Sequence, residues 1–287
     1  MHWTPLLPEN GGVLPKPDGQ RTVKALNRQC CNHKLNAMAD FKSIGIAAHT
    51  IVIYCWIIPA TLVFAILAIL ASFFSRKGDA VHQIARLWGR SILWAGGIQT
   101  ETTGHRADTP DKSFIYMSNH QSNFDIPVLY GALPVQFRWL AKAELFKIPV
   151  FGQGMRGAGY ISIDRSNRQS AFKSLARAAE SIRNGTSIMI FPEGTRSRDG
   201  NLQDFKKGGF VMAVDAGVPI IPVVISGTHT VMAKGSLLIR RQRVRVHLWA
   251  PIATSDYTRK TKDALMAKVR SAMLESMAST DRESGHA

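Results

Sequence analysis

The sequence predicts an α/β domain preceded by an N-terminal membrane-associated helical segment. Three observations predict it. Short β-like runs at 113–118, 136–141, 160–163, 187–191, 220–225 and 244–249 have helical patterns between several of them. From Ile44 to Phe74 there is no Asp, Glu, Lys or Arg. The 287 residues hold 36 Lys and Arg against 20 Asp and Glu, a formal charge of +16. That charge asks for an anionic partner: nucleic acid, an acidic membrane surface or a phosphorylated substrate. No zinc-type spacing and no RNA-binding aromatic signature accompany it, so nucleic acid is set aside in favour of membrane.

The elements follow in order. Residues 1–40 carry Pro5, Pro8, Pro15, Pro17 and the Gly11-Gly12 pair with little periodicity, and read as a disordered extension. Basic residues, apolar core and cleavage site do not follow in the order of a signal peptide. Met38, just before the apolar run, is an expected start of translation. Residues 41–99 are expected to anchor the chain. One helix over 44–74 would run roughly 46 Å, against a hydrocarbon core of about 30 Å. That length argues against a buried soluble helix. Pro59 near the middle, with Lys42 before the run and Arg76-Lys77 after it, favours a helical hairpin over a single span. Residues 80–98 set Ile84, Leu87, Trp88, Ile92 and Trp94 against Arg86 and Arg90. This pattern fits a basic amphipathic helix on lipid headgroups and a core-facing helix equally well. Cys30, Cys31 and Cys55 form no framework and read as free thiols in a reducing compartment.

Residues 100–287 form the expected catalytic domain. Phe172, Leu175, Ala179 and Ile182 predict a helix over 168–183, stopped by Asn184-Gly185. Leu265, Val269 and Met273 predict another over 261–277. The run through Met117 feeds a loop, Asn119-His120-Gln121-Ser122-Asn123-Phe124-Asp125, and Pro127 suits the first turn of the next helix. A carboxylate on one ring nitrogen of His120 fixes the tautomer and leaves the other nitrogen as a base. Such a base can deprotonate a substrate hydroxyl directly. No Gly-x-Ser-x-Gly elbow is present, which argues against a serine hydrolase. Taken alone, the His120–Asp125 pair fits a capped loop with a structural histidine better than a catalytic site.

A second cluster, Phe191-Pro192-Glu193-Gly194-Thr195-Arg196, follows the run 187–191. Arg196 suits a forked phosphate contact, and Gly194 lets a ligand approach the backbone. Lys206, Lys207, Gly208 and Gly209 are expected to open a helix with a positive N-terminus. Alone, this is equally a hairpin turn with a solvated arginine. Asp164-Arg165 ends another run, where a turn is the better reading in isolation. Val218–Val223 reads as a core strand that can also line an acyl slot.

Together, in order and spacing, these four blocks resemble the glycerolipid acyltransferases. Within them they are similar to the 1-acyl-glycerol-3-phosphate (lysophosphatidic acid) acyltransferases of bacterial type, over roughly residues 80–250. The resemblance implies a mixed sheet flanked by helices, often behind a helical membrane anchor. It implies that His120 is the general base on the middle hydroxyl of lysophosphatidic acid and that Asp125 orients it. Glu193, Gly194, Thr195, Arg196 and Arg165 would bind glycerol phosphate, with Asn119, Lys207 and Gly208 in support. The acyl donor would be acyl-CoA or acyl-carrier protein, and the product phosphatidic acid. A backbone N–H is the expected oxyanion stabiliser. No metal or cofactor is implied. The expected place is the cytoplasmic face of a bacterial inner membrane. The same chemistry on another lyso-lipid or on glycerol 3-phosphate is the alternative, and a non-catalytic lipid-binding module is the alternative of another class.

Overall fold

A computed structural model describes residues 19–74, 78–105, 112–164 and 167–284. Two units divide the chain, 1–45 and 46–287. Helix α1 runs Gly19–Ser72 and α2 runs Asp79–Ala95. Then come β1 Gln99–Gly104, β2 Ile115–Ser118, α3 Asp125–Ala132 and β3 Arg138–Lys142. A short 3₁₀ turn, Ala143–Lys147, leads to α4 Phe151–Gly157, β4 Ile161–Ile163 and α5 Arg168–Arg183. The chain closes with β5 Ile188–Ile190, α6 Gly208–Ala216, β6 Ile220–Ser226, α7 Thr228–Val231, β7 Arg243–Leu248 and α8 Lys262–Ser284.

The seven strands make one mixed sheet in the order β1-β7-β6-β2-β5-β3-β4. All neighbours pair in parallel except β6 and β7. The central strands are apolar on both faces because helices cover both. On β2, Tyr116 enters one core while Ile115 and Met117 enter the other. On β6, Ile221, Val223 and Ile225 face the first core, and Ile220 and Val224 the second. The parallel pairing of β2, β5 and β3 puts their carboxyl ends at one edge of the sheet, where open α/β sheets place their ligands. Helices α2 and α3 approach so closely that a Cβ on Gly89 would lie 2.9 Å from the Pro127 carbonyl oxygen.

Two expectations are corrected. The hairpin at Pro59 is not formed: α1 continues through the proline. A proline removes one helical hydrogen bond, and here α1 is fastened on both sides of it. Ile53 is fully buried, and Trp88 Nε1 donates to Thr61 Oγ1 at 3.1 Å. The disorder expected over residues 1–40 is also corrected for 19–40. Residues 19–40 are helical, in a stretch of Ala, Leu, Lys, Arg and Gln that favours helix without an apolar stripe. Residues 1–18 lie outside the described residues. Among the described residues one helix segment, Ser43–Ser72, is long and apolar enough to cross a membrane. Helix α2 is core-facing through Val81, His82, Ile92 and Leu93, yet leaves Leu87 and Trp94 exposed.

Candidate active site

His120 lies in the loop that leaves β2, and Asp125 is the first residue of α3. The Asp125 carboxylate is fully buried. Its Oδ2 accepts hydrogen bonds from the Gln121 and Ser122 backbone N–H groups at 2.7 and 2.9 Å, and lies 2.7 Å from His120 Nδ1. Nδ1 therefore carries the proton, and Nε2 keeps the free lone pair. The imidazole is 16 % exposed and stacks on Phe191, with ring centroids 3.8 Å apart and planes 7° apart. The loop cannot drift. Ser122 Oγ donates to the Met232 carbonyl at 2.7 Å, and Gln121 Nε2 to that of Gly200 at 2.7 Å.

The second cluster leaves β5 beside it. Gly194 has φ +76°, a left-handed conformation that glycine adopts without strain. Glu193 lies beneath the turn and is 2 % exposed. Its Oε1 accepts from His120 N at 2.6 Å and its Oε2 from Gln203 N at 2.9 Å. Burial pushes its carboxyl up to about 7, against the pull of those two N–H groups. Ser197 N donates to the His120 carbonyl at 2.7 Å. Thus Glu193 and Ser197 knit the two motifs together from below.

Above them lies a cavity of about 500 Å³. His120, Gly194, Thr195, Arg196 and Lys142 form its polar part. Ala65 and Ala68 of α1, with Trp88, Trp139, Met155 and Phe191, form its apolar part. His120, Arg196 and an apolar slot thus line one space, which suits an amphiphile with an anionic head and a hydroxyl to be deprotonated.

The sequence profile of the Acyltransferase family matches residues 99–226. A chloroplastic 1-acyl-sn-glycerol-3-phosphate acyltransferase of Brassica napus is 37% identical over 68% of this chain and 56% of its own length. The alpha 1-acyl-sn-glycerol-3-phosphate acyltransferase of Homo sapiens is 31% identical over 74% of this chain and 76% of its own. The chain belongs to this acyltransferase family. The crystal structure of PlsC, the 1-acyl-sn-glycerophosphate (LPA) acyltransferase of Thermotoga maritima, superposes with a TM-score of 0.73 at 26% identity. That match covers 83% of this chain and 97% of that one. The chain spans little more than half the length of the Brassica relative. The acyltransferase match takes in β1 to β6 and so both loops, while α1 and α2 lie before it.

Not every residue expected at the site reaches the cavity. Glu193 does not face it; buried beneath the turn, both its oxygens are spent on backbone N–H groups. Asn119 is fully engaged elsewhere: Nδ2 donates to the Ile225 carbonyl at 2.9 Å, and Oδ1 accepts from Ile225 N at 2.7 Å. Lys207 turns away to Asp263 at 3.1 Å on α8. Gly208 packs at the start of α6, where a Cβ would come 3.0 Å from Leu175 Cδ1. Arg165 lies outside the described residues. β4 does end at Ile163, in register with Lys142. Two lysines were missed. Lys142 ends β3, and its signal was a cation directly after an apolar strand run. Lys234 donates to Thr195 Oγ1 at 3.2 Å and to the Arg196 carbonyl at 2.8 Å. Nothing in its own sequence neighbourhood marks it, because tertiary structure alone brings it there.

Proposed function

We propose that the chain transfers an acyl group from a thioester donor to the middle hydroxyl of 1-acyl-glycerol 3-phosphate. The observation that carries this reading is that His120 and Arg196 line one cavity, with Asp125 locked behind the imidazole. His120 Nε2 takes the hydroxyl proton as the oxygen attacks the thioester carbonyl. The tetrahedral intermediate collapses by breaking the C–S bond, and the departing thiolate takes the proton back from the imidazolium. A thioester is already activated, so a positioned base contributing about 10²–10⁴-fold suffices beside orientation. Arg196 holds the acceptor phosphate, Lys142 lines the cavity with its ammonium paired to Glu144 at 3.0 Å, and Lys234 stiffens the turn that carries Arg196. The apolar part of the cavity takes the acyl chain. The names of the relatives support the acceptor; acyl-CoA and acyl-carrier protein, both acidic, suit the +16 charge.

The reading places the enzyme on a membrane. Helix α1 is docked along the catalytic unit from Thr50 to Ala68, while Ile51, Ile58, Leu62, Ile66 and Leu70 remain exposed. A helix fastened lengthwise in this way lies in the interface with one face in lipid. The chloroplast relatives give no support to a bacterial inner membrane in particular. The deciding experiment is thioester-release kinetics with a panel of lyso-lipid acceptors and both donor types. Fastest release with 1-acyl-glycerol 3-phosphate is expected. Preference for another acceptor would replace the substrate, and liposome binding without thioester consumption would replace the enzyme by a lipid-binding module.

A further inference from the structure

The turn between α7 and β7 presents Leu237, 73 % exposed, and Leu238, 40 % exposed. Arg240, Arg241 and Arg243 follow them and are exposed as well. Adjacent leucines held in water call for a partner surface. The turn is pinned rather than loose. On one side it is tied to α1: Ile239 N donates to Thr50 Oγ1 at 3.0 Å, and the Tyr54 hydroxyl donates to the Leu237 carbonyl at 3.3 Å. On the other side it meets the turn after α2: Gln99 N donates to the Gln242 carbonyl at 3.3 Å, and the Arg241 stem lies over Gly97. Close by, Trp94 of α2 is 76 % exposed and meets Trp56 of α1 edge to face at 5.9 Å. Tyr54 thus ties the turn with its two leucines and three arginines to α1, and the Trp56–Trp94 pair follows within two residues of Tyr54 and three of Gly97 in the chain. Amphipathic aromatics with cations beside apolar side chains are the composition of a membrane–water boundary.

We propose that the 236–243 turn is a second lipid-contact element, resting on the membrane placement of α1 given above. Leu237 and Leu238 insert among the acyl chains, and Arg240, Arg241 and Arg243 engage the phosphates of anionic lipids. Continuity with the apolar face of α1 and the sign of the charge select an anionic bilayer over other occupants. None of these five residues touches the cavity.

The test uses the full chain, floated with phosphatidylcholine vesicles made with and without phosphatidylglycerol. Replacing the three arginines (R240Q, R241Q and R243Q together) is expected to lower partition onto the anionic vesicles by about fivefold per arginine. It should leave partition onto pure phosphatidylcholine unchanged. Leu237→Ser with Leu238→Ser is expected to lower partition onto both, with acyl transfer to a micellar acceptor preserved. If both variants float like the parent, the turn is no lipid contact and the proposal fails alone. If the parent itself floats with neither vesicle, the membrane placement falls and the proposal with it. If the leucine variant floats normally but breaks a dimer of the parent, the surface serves self-association and the lipid assignment is overturned. The arginine variant changes only exposed side chains, so it decides even where the leucine variant folds poorly.

Discussion

His120 and Asp125 act as one unit. His120→Ala should cut turnover by about 10²–10⁴-fold, and should also lower the melting temperature, because it removes the ring stacked on Phe191 and takes one partner from the buried Asp125 carboxylate. Near-normal turnover would remove His120 from the reaction. Arg196→Ala should raise the KM for the acceptor far more than that for the donor, because a forked phosphate contact is lost. An unchanged acceptor KM would place the phosphate elsewhere. Glu193 supplies a pH signature. Its carboxyl titrates near 7 when folded, against about 4.5 when free. The folded chain binds that proton more tightly, so the contribution to stability is full below about pH 4.5. It falls as pH rises through 7 and is constant above. Glu193→Gln removes the titration but leaves one backbone N–H without its carboxylate, at a cost of about 1–3 kcal/mol. The melting-temperature advantage of the parent over the variant should therefore shrink from pH 4.5 to 7. An advantage that stays constant across this window would mean burial does not control the group.

At the scale of elements, the loops are held by what lies between strands. Asn119 closes two hydrogen bonds onto Ile225 in β6, across from its own β2. Asn119→Ala strands a buried donor and acceptor and should cost about 1–3 kcal/mol for each, read from chemical unfolding. A near-neutral result would mean water replaces the amide. The sequence could show that Asn119 sits at a strand end, but not that its amide points to a strand a hundred residues on. Six strands were legible: β2, β5 and β6 because their apolar runs are buried on both faces, and β7 because Val244, Val246 and Leu248 alternate with more exposed polar residues. β1, Gln99–Gly104, was not, because every residue of this edge strand is exposed and carries no apolar pattern. The helix after Lys206 was legible from its glycines and lysines, whereas the role of Lys207 was not. Its charge was visible in sequence, but its direction towards Asp263 is set by the packing of α8.

Over the whole molecule, the polar chemistry sits on the sheet and the apolar slot is completed by α1 and α2. Ala68→Phe should fill part of the slot and shift preference to shorter acyl chains while leaving turnover on them intact, measured with a donor series. Unchanged chain preference would separate Ala68 from the chain path. This division explains what could be read in advance: the two loops are contiguous in sequence, whereas Lys142, Lys234 and the slot are assembled from distant segments. It also bears on α1 itself. Ile51, Ile58, Leu62, Ile66 and Leu70 present one unbroken oily stripe. Removed from any amphiphile, the chain has nowhere dry to keep that stripe. Such preparations should clump or pair stripe to stripe, and the enzyme should come out of cells monodisperse only in the company of detergent or lipid.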